Sequence, residues 1–136
     1  MRKLLTKFLP SETAARHLAS KVQLLGPKQA GPTLLVMNRA VLSSDIRTVA
    51  ARSNLNFATV SAARFEALTA GVIPKPDQTQ TFFNPTYWTG PAARREKLKA
   101  ITRAFLDKVD DRLCFDAVVV ANTDYWQDEA VKDACR

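Results

Sequence analysis

Three short apolar runs constrain this chain more than any other feature: TLLVMN at 33–38, FATVS at 57–61 and DAVVVA at 116–121. Each is too short for a stable helix and carries the branched and long apolar side chains that suit a pleated, buried surface. The segments between them have helical periodicity. Strands joined through helices need crossover connections, which makes the sheet parallel and the crossovers right-handed. The expected fold is therefore a Rossmann-like three-layer α/β domain. Its short parallel sheet has three strands in the order 2-1-3, preceded by one or two N-terminal helices.

The helical segments show their own starts and stops. Ser11-Glu12 opens one, Ala15, Leu18, Val22 and Leu25 follow at helical spacing, and Gly26-Pro27 ends it. Ser43, Ser44 and Asp45 offer capping side chains to a second helix, with Ile46, Val49 and Ala50 as its apolar stripe and an end near Asn54. Ala62–Ala70 reads as a third, stopped by Gly71. Pro91 suits the first turn of the longest helix, in which Leu98, Ile101, Phe105 and Val109 fall on one side. Gln127–Cys135 closes the series. Between Val72 and Gly90 lies a long irregular stretch with Pro74, Pro76 and Pro85 among Phe82, Phe83, Tyr87 and Trp88. Long loops in small domains are commonly functional, and these aromatics argue for order.

Residues 1–30 are expected to form an N-terminal helical segment and 31–136 the Rossmann-like domain. Three parallel strands make a narrow sheet. The chain stops where its last helix would turn back toward a fourth strand. The expectation is the N-terminal half of a larger two-domain protein. The rival is a complete small module that dimerises to cover its sheet edge.

Charge is uneven. The net charge is +7, yet residues 1–64 hold ten Lys/Arg against Glu12 and Asp45, while residues 65–136 hold ten against eleven acids. A basic half attracts polyanions: an anionic membrane surface, phosphorylated substrates or nucleic acid. The first of these implies peripheral membrane contact through the N-terminal half, where Leu4, Leu5, Phe8 and Leu9 share a face. The last would use Arg16, Lys21, Lys28, Arg47 and Arg52, but no nucleic-acid motif accompanies them. The N-terminus lacks a signal peptide's apolar centre, because Lys7 interrupts it and Pro10 ends it. A cytoplasmic protein with reduced thiols follows, with Cys114 as a small core hydrophobe.

Metal and nucleophile chemistry find little support. His17 is the only histidine, and Cys114 and Cys135 complete no zinc set. The turn after the first strand, NRAVLSSD, lacks the glycines of a dinucleotide-binding loop, so no cofactor is expected in this chain. The helix start at Ser44–Ile46, with Arg39, is the nearest approach to an anion site.

The positive signal is that the first and third strands both end in asparagine, TLLVMN-Arg39 and VVVAN-Thr123-Asp124-Tyr125-Trp126. In open α/β sheets ligands bind beyond the carboxyl ends of the strands, where strand order reverses. With the order 2-1-3 that point falls between these two ends. Asn38 and Asn122 would offer amides, Asp124 a hydrogen-bond acceptor or general base, and Tyr125 and Trp126 rings for an apolar ligand face.

The pattern of a strand ending in Asn-Arg, a Pro/aromatic loop, a basic helix and then DAVVVANTDYWQDEA resembles the N-terminal domain of bacterial surface- and capsular-polysaccharide glycosyltransferases of the two-Rossmann-domain (GT-B) type. The resembling part runs from about Thr33 to Arg136, and its most specific piece is Asn122–Asp128. The resemblance implies an acceptor-side domain in surface polysaccharide biosynthesis, meeting a carbohydrate or lipid-linked acceptor. A nucleotide-sugar donor would be held chiefly by a C-terminal domain, so this domain would not be catalytic alone. The matching site residues are Asn122, Asp124, Tyr125 and Trp126. Asp124 is the candidate base because it is the only carboxylate at that strand end.

Overall fold

A computed structural model of the chain describes residues 10–38, 43–69, 91–120 and 126–135. In chain order the elements are helix α1 (Pro10–Ser20), strand β1 (Gln23–Leu24), strand β2 (Thr33–Asn38), helix α2 (Ser43–Ala51), strand β3 (Asn56–Ser61), helix α3 (Ala62–Thr69), helix α4 (Ala92–Leu113), strand β4 (Ala117–Val119) and helix α5 (Trp126–Ala134).

Among the described residues the sheet has four strands, in the order β1-β3-β2-β4. β2 lies at its centre and runs parallel to both neighbours, pairing Thr33 with Asn56 through Asn38 with Ser61 on one side, and Leu34 with Ala117 through Val36 with Val119 on the other. The α/β fold and the order of the parallel strands are those expected from the sequence. The fourth strand was not expected. β1 is antiparallel and pairs Gln23 with Thr59 and Leu24 with Ala58.

This addition shortens the first helix. Helical spacing carries apolar residues on to Leu25, but α1 ends at Ser20. The unpaired edge of β3 offers backbone partners that a continued helix would forgo, and the Leu25 N–H donates to the Phe57 carbonyl at 2.8 Å. Ser20 Oγ donates to the His17 carbonyl. Arg112, from α4, donates through Nη2 to the carbonyls of Ala19 and Val22. Carbonyls at and just beyond the end of α1 thus find partners in a side chain rather than in another helical turn.

One face of the sheet carries the main core. Leu35 and Met37 of β2 and Ala58 and Val60 of β3 pack with Phe65 of α3, Leu98, Phe105 and Val109 of α4, and Val131 of α5. α1 shares this core through Ala15, Leu18 and Ala19. The rings of Phe65 and Phe105 meet edge to face with centroids 6.1 Å apart. Each such buried side chain contributes about 1.5–3 kcal/mol. The apolar stripe expected on α4 is buried in full, joined by Thr102, whose hydroxyl donates to the Leu98 carbonyl at 2.7 Å. On the opposite face Val36 and Phe57 are buried, and α2 lies against β3. The stripe expected on α2 is covered loosely: none of its residues is buried, and Val49 is 47% exposed.

Two expectations are corrected. DAVVVA reads as a buried strand, but β4 is only half-covered, with Val119 39% exposed. Among the described residues it has a neighbour on one side only, β2, so its apolar side chains report β-propensity rather than depth. Cys114 is not in the core. It is exposed and forms the left-handed C-cap of α4, with φ 50° and ψ 60°, a position glycine usually fills. Cys114 and Cys135 are free thiols. The Cys135 thiol is pushed above its ordinary range by burial, which Arg103 partly opposes.

Candidate functional site at the carboxyl rim of the sheet

The strand order decides where a site can lie. From β2 the chain crosses through α2 to β3 on one side, and from β3 through α3 and α4 to β4 on the other. Direction reverses at β2, so the crevice of an open α/β sheet falls beyond the carboxyl ends of β2 and β4. Because these strands are parallel neighbours, both ends reach the same rim.

Asn38 closes β2 at this rim. It is half-buried, and its Oδ1 accepts from Ser43 Oγ at 3.3 Å, which ties the strand end to the start of α2. Among the described residues its amide nitrogen has no acceptor. Of the other residues singled out by the sequence, Arg39, Asn122, Asp124 and Tyr125 lie outside the described residues, as do the aromatic stretch 72–90 and the N-terminal face of Leu4, Leu5, Phe8 and Leu9. Trp126 opens α5.

Asn38 also lines a concavity of about 290 Å³ with Lys21, Gln23, Thr59, Ser61 and Arg64 among its neighbours. This space sits over the carboxyl ends of β2 and β3, with the end of α1 on one side and the start of α3 on the other. Among the described residues its lining holds two cations, two hydroxyls and two amides, and no carboxylate. Such a set donates hydrogen bonds to hydroxyl, phosphate or carboxylate oxygens. The sequence pointed to Asn38, and to Lys21 only as part of a basic face, but not to Gln23, Ser61 or Arg64. The one available signal was that FATVS, like TLLVMN, ends in a polar residue at a strand-to-helix turn.

A second group escaped sequence reading. Glu129, in the first turns of α5, is buried, and its Oε2 has no hydrogen-bond donor. Lys132 Nζ stands 3.5 Å away as an ion-pair partner. A buried carboxylate with an unsatisfied oxygen is costly, which makes Glu129 a feature the fold must compensate.

The basic residues do not gather on one rim. Lys21 borders the carboxyl-rim concavity, whereas Arg47 lines another of about 420 Å³ at the amino rim, between α2 and the connector that follows β1. Arg16 faces Glu12 at 4.0 Å. Among the described residues no cluster of His, Cys, Asp and Glu is placed to hold a metal, and no helix is long and apolar enough to cross a membrane. Compared with family models, curated proteins and solved structures, the chain matches none.

Proposed function

We propose that this chain is a carbohydrate-binding α/β domain that works as the acceptor side of a glycosyltransferase in surface polysaccharide synthesis, with its transfer chemistry completed by a second, donor-binding domain. The observation that carries this reading is the parallel pairing of β2 with β4. It brings the end of β2, at Asn38, to the rim from which the chain enters Asn122–Trp126. Uncharged amides and hydroxyls, here Asn38, Gln23, Thr59 and Ser61, suit a ligand that presents many hydroxyls and little charge. In this reading Arg39, Asn122, Tyr125 and Trp126 extend the acceptor surface, and Asp124 accepts the proton of the attacking hydroxyl.

The test is calorimetric titration of the full chain with a panel of bacterial surface oligosaccharides. The reading expects at least one to bind, and expects Asn38→Ala and Asp124→Asn each to weaken it without lowering the melting temperature. Absence of binding across the panel, or binding indifferent to both substitutions, would overturn it.

A further inference from the structure

The polar concavity at the carboxyl rim has a second, apolar neighbour. A groove of about 320 Å³ runs between α1 and α3, lined by Ala14, His17, Leu18 and Leu68. Lys21 and Arg64 line both spaces, so the two cations stand at the border between them. They come from different elements: Lys21 directly follows α1, and Arg64 lies in the first turn of α3.

Among the described residues no carboxylate lines either space, and neither cation has an ion-pair partner. Elsewhere basic side chains do find acids, as Arg16 finds Glu12 and Lys132 finds Glu129. Two like charges left together beside an apolar wall create a local positive field that an anion relieves. Lysine brings three N–H donors on a flexible stem, and arginine brings a planar fork that matches phosphate oxygens in pairs.

We propose that Lys21 and Arg64 hold the head of an amphiphilic phosphomonoester whose hydrocarbon tail lies in the α1–α3 groove. The charge selects the head: a phosphomonoester carries about −1.5 to −2 at neutral pH, which two cations offset better than they would a single carboxylate. Ser61 and the free N–H groups of the first turn of α3 supply further donors beside Arg64. The tail replaces water along Ala14, Leu18 and Leu68. This site borders the proposed carbohydrate surface and shares Ser61 with it, but it needs none of Asn38, Asn122 and Asp124, so different substitutions test the two readings.

The experiment is a calorimetric titration of the full chain with hexyl, octyl and decyl phosphate, each below its micelle-forming concentration. Inorganic phosphate, decanoate and an uncharged decyl glucoside serve as comparators. Affinity should rise about threefold to fourfold per added methylene until the groove is full. Decyl phosphate should exceed decanoate, and both should exceed the glucoside. The double variant Lys21→Gln/Arg64→Gln should lose roughly tenfold or more for decyl phosphate. Both side chains are exposed, so an unchanged melting temperature is expected and confirms the fold. Ala14→Phe, which fills the groove, should abolish the dependence on chain length while sparing inorganic phosphate. Equal binding of decyl phosphate and decyl glucoside, or of decyl and inorganic phosphate, would overturn the proposal. So would full affinity in the double variant, or binding to phosphatidic acid vesicles with none to the monomeric alkyl phosphates.

Discussion

The two rims of the sheet are built from similar residues and put them to opposite use. At the amino rim polar groups are spent on the fold. Asn56 is 3% exposed, and its side chain accepts from the Gln29 N–H at 2.6 Å and donates to the carbonyls of Gln29 and Gly31 at 3.0 and 2.9 Å. Asp116 accepts from the Thr33 N–H at 2.9 Å while its own N–H donates to the Thr33 carbonyl at 2.7 Å, which pins β4 to β2. At the carboxyl rim Asn38, Ser61, Lys21 and Arg64 line a concavity instead. The difference teaches which asparagine matters for what: Asn56 anchors the connector 26–32, whereas Asn38 keeps an amide nitrogen to offer.

This contrast predicts where substitutions hurt. Asn56→Ala should have the largest effect. It removes three hydrogen bonds, to the part-buried Gln29 N–H and to two carbonyls, and should cost about 3 kcal/mol, read as a fall in the denaturation midpoint. Gly31→Ala comes next. An added Cβ would stand 2.4 Å from the Asn54 carbonyl oxygen, whose hydrogen bond from the Gly31 N–H holds the connector to the end of the α2–β3 turn. A shift of backbone at a cost of about 2–3 kcal/mol is expected. Cys114→Gly should act in the opposite sense. It relieves the left-handed cap of α4 and should raise stability by about 0.5–1 kcal/mol, visible in thermal melts. Smallest of all, Asn38→Ala should change stability by about 0.5 kcal/mol or less, since it loses only a long contact from Ser43. A large loss there would erase the distinction between the rims.

Much of this architecture was legible in the sequence because periodicity and strand length are local signals. The three parallel strands and the buried stripe of α4 follow from apolar spacing, and the strand order agrees with it. What was illegible depended on partners distant along the chain. β1 spans only Gln23–Leu24, and it exists because the edge of β3 was free to pair. Asn56 precedes the FATVS run without any mark of its own, and its role shows only when the connector is seen folded over it. Cys114 reads as apolar, but the ending of α4 imposed a left-handed conformation on it. Of the candidate site, Asn38 could be found because it closes a strand. The pairing of Lys21 with Arg64 could not, because only the packing of α1 against α3 brings them together.

The most direct measurement is a backbone amide chemical-shift map of the isotope-labelled chain, titrated with a surface oligosaccharide that binds it. The account predicts shifts at Asn38, Ser61 and Arg64 on the carboxyl rim, with Gly31, Asn56 and Asp116 unmoved. Shifts centred instead on Gln29, Arg47 and Ser53, around the amino-rim concavity, would contradict it.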